Sequence, residues 1–189
     1  GPAFDGSEIE LYDRTMGTYS AVKNNFKDTY NLGFNSNTNL SVQGGNEKTT
    51  FYSSLSYKYA EGTLPNNSFD RLALMVKASH KINDIVDVAG SVSFANSRPR
   101  NAQVNIGENF ANGTFSRSYD PDYYKKKYLG EHGGLASNDY SDQYGYVPGR
   151  GLWFSIYENE YTQKETAVRP MLEVNVKMAD WVRFKAEAN

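Results

Sequence analysis

From Thr49 to Tyr59 apolar and polar residues alternate. Phe51, Leu55, Tyr57 and Tyr59 fall on one face of an extended strand, and Thr50, Tyr52, Ser54, Ser56 and Lys58 on the other. A strand of this kind must lie between two different environments. The pattern recurs in Arg71 to Lys81, where Leu72, Leu74, Val76 and Ala78 oppose Arg71, Ala73, Lys77 and Ser79. It recurs again in Val86 to Asn96, with Val86, Val88, Val92 and Phe94 set against Asp87, Ala89, Ser91 and Ser93. Thr166 to Met178 and Trp181 to Ala188 follow the same rule, and Ser36 to Gly44 is a weaker instance marked only by Leu40 and Val42. Segments of about ten residues with two-residue periodicity are long enough to cross a bilayer as tilted strands.

The connections alternate too. Gly44-Gly45-Asn46-Glu47-Lys48, Asn83-Asp84 and Met178-Ala179-Asp180 are tight turns, whereas Ala60 to Asp70 and Ser97 to Glu165 are long. In an antiparallel meander this puts every long connection at one edge. Mid-strand charges such as Arg169, Glu173, Lys177, Arg183, Lys185 and Glu187 keep to the polar faces. Phe51 and Trp181 lie near the short-turn edge, and Tyr57, Tyr59 and Phe94 near the other, as two interfacial aromatic belts require. The expected fold class is therefore all-β: an antiparallel transmembrane β-barrel segment of about six strands with long extracellular loops.

No apolar stretch is long enough for a transmembrane helix, a test that a barrel wall with every second residue apolar does not meet anyway. A net charge of -2 with scattered Lys and Arg gives no footprint for nucleic acid. The absence of Cys removes disulfides, thiolate metal sites and cysteine nucleophiles. Gly1 to Gly6 has neither a basic nor an apolar leader region, so a secretion signal is expected to have been removed or to lie upstream. The expected organisation is an extracellular loop over 1–35 with a short helix near Tyr19 to Tyr30, two barrel hairpins over 36–96, a long extracellular loop over 97–165 and a last hairpin over 166–189. The helix rests on Val22, Phe26 and Tyr30 recurring every four residues. Six strands leave open edges that hydrocarbon does not tolerate, so the segment is expected to belong to a larger barrel.

The run Asn39-Leu40-Ser41-Val42-Gln43-Gly44-Gly45-Asn46-Glu47-Lys48-Thr49-Thr50-Phe51-Tyr52 resembles the signature hairpin of the SusC/RagA family of TonB-dependent outer-membrane transporters. Tyr59 to Arg71, with Gly62, Pro65 and Asn66, resembles that family's next loop. Ser79 to Ile82 with Val92 to Ser97 resembles its next hairpin, and Gly1 to Gly6 its upstream loop. The likeness covers 1–100 well and 153–189 more loosely. It implies a barrel of about 22 strands in the bacterial outer membrane, with a plug domain outside this chain. It also implies import of oligosaccharides or peptides driven by the TonB energy-coupling complex, and a SusD-like surface lipoprotein as lid.

Within 97–165 the aromatic residues are the candidate substrate contacts: Tyr123, Tyr124, Trp153 and Tyr157 first, with Tyr128, Tyr144 and Tyr146 beside them. Aromatic faces take up sugar C–H surfaces and peptide side chains while their polar tips stay wet. The plainer reading is that they pack the loop on itself or against the lid. His80 and His132 have no metal-ligand partner at a useful spacing, and His80 suits a strand end. Asp120 and Asp122, alone or with Asp139 and Asp142, could be read as hydrolytic carboxylates or a calcium loop, but Asp-Pro-Asp more simply starts a turn. Glu158 and Glu160 would share one side of an extended segment and repel. No cofactor is expected beyond a conceivable structural calcium, and binding and passage of solute are expected rather than catalysis. The rival from another class is a soluble or surface-exposed carbohydrate-binding β-domain, which would bury Leu72, Leu74, Val76, Val88, Val92, Leu172 and Val174 in a core.

Overall fold

The computed structural model describes residues 3–101, 105–135 and 147–189. They form two compact units. The sheet unit comprises Phe34–Glu61, Ser68–Pro99 and Thr162–Asn189; the loop unit draws on Gly1–Gly33, Gly62–Asn67 and Arg100–Tyr161.

The sheet unit is a six-stranded meander, not closed on itself. It runs in the order β3 (Phe34–Gly45), β4 (Thr49–Glu61), β5 (Ser68–Lys81), β6 (Val86–Arg100), β7 (Glu165–Ala179) and β8 (Val182–Ala188). Antiparallel register pairs Leu40 with Leu55 and Leu55 with Leu74 across β3, β4 and β5. It pairs Val88 with Val174, and Val174 with Ala186, across β6, β7 and β8. The tight turns close through asparagine side chains. Asn46 Oδ1 accepts from the Lys48 and Thr49 amides at 2.9 and 2.8 Å, and Asn83 Oδ1 from the Ile85 and Val86 amides at 2.8 and 2.9 Å. Gly45 has no room for a side chain, because a Cβ would lie 2.3 Å from the Thr49 carbonyl oxygen.

The strands outrun their side-chain pattern at the long-connection edge. β5 begins at Ser68 and β6 continues to Arg100, since backbone pairing persists where alternation has ended. There the otherwise apolar face turns polar. Asp70 and Arg98 form an ion pair at 3.0 Å, and the Tyr59 hydroxyl donates to Glu61 at 2.6 Å. At the other edge His80 Nδ1 lies 2.8 Å from the Thr49 hydroxyl, a strand-end role. Between these limits the aliphatic residues lie open, with Leu74 41%, Val76 46%, Val92 49% and Leu172 58% exposed. Val88 and Val174 are half-buried by neighbours in the sheet. None of the seven positions that a sealed core would need is buried.

Among the described residues the buried hydrophobic side chains belong instead to the loop unit: Ile106, Phe115, Tyr119, Tyr124, Val147, Trp153 and Ile156. The long connection over 97–165 carries short helices that the sequence did not announce, α1 (Ile106–Ala111), α2 (Pro121–Tyr124) and α3 (Arg150–Tyr157), around this core. Helices this short show too few turns for helical periodicity to surface in the sequence. Asn105 caps α1 through the Glu108 amide, and Gly149 enters α3 at φ +75. The described part of 1–35 holds a small hairpin, β1 (Glu8–Glu10) with β2 (Met16–Thr18), and where the short helix was expected near Tyr19 to Tyr30 it has the 3-10 turn Lys27–Thr29. A longer helix is pre-empted because the Val22 amide donates to the Arg117 carbonyl. The buried Asn25 side chain donates to the Ser116 carbonyl at 2.9 Å and accepts from Arg117.

Candidate functional site

In the loop unit one aromatic stack runs through the candidate residues. Phe115 lies on Tyr119 with ring centroids 4.1 Å apart and planes within 7°, and Tyr119 continues onto Tyr124 at 5.0 Å. On its other side Phe115 neighbours Trp153 at 6.3 Å; Trp153 neighbours Tyr157 at 6.3 Å, and Tyr157 neighbours Tyr128 at 5.7 Å. Trp153 and Tyr119 are wholly buried and Tyr124 is 2% exposed. The Trp153 indole donates to the Tyr119 hydroxyl at 2.8 Å, which donates onward to the Pro148 carbonyl at 3.2 Å. The polar tips of Trp153 and Tyr119 are therefore satisfied inside the fold.

That placement separates the four leading candidates. Trp153 and Tyr124 have no accessible ring face, and the structure gives them a packing role. Tyr157 is half-buried, and Tyr123 is 37% exposed. Tyr128 is half-buried, and its hydroxyl donates to Glu158 at 2.9 Å. Tyr144 and Tyr146, with Asp139 and Asp142, lie outside the described residues. Phe115 and Tyr119 escaped the sequence reading, although their i, i+4 aromatic spacing just before the Asp120-Pro121 turn is a usable sign of a packed segment.

Tyr123 is held by a residue that carried no signal at all. Asp13, in the loop between β1 and β2, is 4% exposed. Its carboxylate accepts from the Thr15 hydroxyl at 2.7 Å and amide at 3.3 Å, from the Tyr123 hydroxyl at 2.7 Å, and from the Lys127 ammonium at 2.9 Å. Burial pushes this carboxyl up, but the hydrogen bonds from Thr15, Tyr123 and Lys127 outweigh it and bring it down to about 2. Burial likewise presses on Lys127, and its bonds to Asp13 and Tyr123 overcome that and raise it. The ammonium also sits 4.5 Å from the Tyr123 ring centroid. With Tyr12 edge-on to Tyr124 at 5.7 Å and Tyr123 edge-on at 5.1 Å, two partly open rings flank a buried one.

Burial also acts on three of the phenols. Burial raises Tyr119 strongly. It raises Tyr124 to about 12, helped by the Asp13 carboxylate, and Tyr128 to about 12, helped by Glu158. Asp120 caps α2, accepting from the Asp122 and Tyr123 amides at 2.9 and 3.3 Å, while Asp122 bonds Lys125. Glu160 pairs with Arg100 at 3.3 Å, so Glu158 and Glu160 have separate partners. Among the described residues no three His, Asp or Glu side chains gather as metal ligands. What this arrangement leaves open are the partly exposed rings of Tyr12 and Tyr123 on either side of the buried Tyr124, aromatic surface of the kind that stacks on sugar or peptide groups. No protein-family model matches the sequence, and no curated protein sequence matches it.

Proposed function

We propose that this chain forms part of the wall and loops of a TonB-dependent outer-membrane importer that takes up oligosaccharides or peptides with a SusD-like lipoprotein. The observation that carries the reading is the segregation of the sheet's two faces. Leu74, Val76, Val92 and Leu172 stand exposed on a charge-free stretch of one face, while Lys58, Arg71, Lys77, Arg169, Glu173 and Lys185 occupy the other. Water would penalise the first face, with roughly 1.5–3 kcal/mol at stake for each large aliphatic side chain. Lipid would not. Asp70, Arg98 and Glu61 bound the apolar stretch at one edge, as headgroups require. A carbohydrate-binding domain in water would need those aliphatic side chains covered.

Nitroxide labels at positions 72 to 76, in the protein reconstituted in phospholipid vesicles, test this. Positions 72, 74 and 76 are expected to collide with dissolved oxygen, and 73 and 75 with a water-soluble nickel chelate. Uniform chelate access, or uniform protection, would remove the membrane assignment.

A further inference from the structure

We infer that the polar face of β3 to β5 is a binding surface for the carboxylate groups of an acidic solute. This deepens the importer reading, since it assigns a substrate class to the face that the importer would turn toward its passage.

Register puts three cations on this face, with Lys58 directly opposite Arg71 and Lys77 opposite Tyr52. β3 faces them with amides and hydroxyls only; Asn37 lies opposite Lys58, Asn39 opposite Ser56 and Gln43 opposite Tyr52. No acidic residue falls on this face anywhere in the three strands. Among the described residues none of the three cations has a carboxylate within 4.0 Å. Like charges directly opposite each other destabilise a strand pair. Strands β7 and β8 solve the same problem internally, because Lys185 reaches Glu173 at 3.1 Å and Glu187 at 3.2 Å. Lys77 is within electrostatic reach of the Glu173 carboxylate on β7, so what β4 and β5 leave unsolved is the Lys58–Arg71 pair.

A carboxylate between Lys58 and Arg71 supplies what the chain omits. The guanidinium offers two parallel N–H donors to a planar oxyanion, and the ammonium offers a point charge beside it. Lys58 Nζ lies 5.9 Å from the centroid of Phe69, which shares this face, so an apolar platform adjoins the cations. The amides of β3 can hydrogen-bond the hydroxyls or backbone of the same solute. Together they suit a molecule that alternates carboxylates with uncharged polar surface, as acidic sugars and acidic peptides do.

The test is calorimetry on the detergent-purified protein with two pairs of probes, trigalacturonate against its methyl ester and triglutamate against triglutamine. The acidic member of at least one pair is expected to bind ten-fold or more tightly than its neutral counterpart, with the preference shrinking as salt rises. The sugar pair and the peptide pair tell the two sources of carboxylate apart. Lys58→Gln with Arg71→Gln is expected to abolish the preference, and the charge-keeping Lys58→Arg with Arg71→Lys to retain most of it. Lys185→Gln is expected to leave it unchanged. Equal affinity within both pairs, or a preference that survives the double glutamine variant, would overturn the inference. Binding in detergent does not depend on which face meets lipid, so this failure is distinct from failure of the nitroxide test.

Discussion

The Trp153 indole nitrogen donates to the Tyr119 hydroxyl at 2.8 Å, and both side chains are sealed from solvent. Two residues 34 apart in sequence thereby lock α3 to the segment that leads into α2. Trp153→Phe keeps the ring and removes the donor. The variant is expected to lose about 1–3 kcal/mol, read as a lower urea midpoint for the near-ultraviolet dichroism of the loop aromatics.

Asp13 carries an acid-sensitive contribution to stability. Its folded value of about 2 lies below the ordinary carboxylate value of 3.8. A depressed group stabilises fully above its unfolded value and loses that contribution as pH falls toward the folded one. The loop unit is therefore expected to lose about 2 kcal/mol between pH 4 and pH 2 through this residue. In Asp13→Asn that part of the acid dependence should vanish, with the neutral-pH stability lowered instead. Denaturant titrations across this window check both.

Position 74 lies in the middle of the open apolar stretch, opposite Leu55, and position 73 points to the other face. Leu74→Arg is expected to destabilise the vesicle-embedded protein by about 2–4 kcal/mol, whereas Ala73→Arg should cost far less. Urea unfolding from phospholipid vesicles measures the difference. Equal effects would contradict the assignment of the faces.

Gly149 begins α3 with φ +75, and a Cβ there would lie 2.3 Å from the Phe115 ring. Gly149→Ala combines left-handed strain of about 1–2 kcal/mol with displacement of a ring stacked on Tyr119. Greater protease sensitivity between Phe115 and Tyr157 is the expected signature, with the sheet strands remaining resistant.

The strands were legible because each carries its own two-residue period. Leu72, Leu74 and Val76 announce a face wherever the chain goes, and Asn46 and Asn83 announce the turns. Strand ends were less legible: Ser68 and Arg100 belong to strands through backbone pairing, which leaves no mark on side-chain type. The aromatic residues of 97–165 were legible as a group but not one by one. Tyr123 and Tyr124 are neighbours of the same type, yet one is 37% and the other 2% exposed. Asp13 was invisible, because its importance rests on Tyr123 and Lys127 more than a hundred positions away.

Alternation and turn chemistry, both local, settled from sequence alone that this chain builds an antiparallel meander with one greasy and one charged face. Tertiary structure alone decided which aromatics became interior, which carboxylate became a clamp and which cations were left facing one another. Those outcomes depend on contacts between distant segments, such as Trp153 with Tyr119 or Lys58 with Arg71, and the energy of such a contact belongs to the pair rather than to either residue's neighbours in the chain.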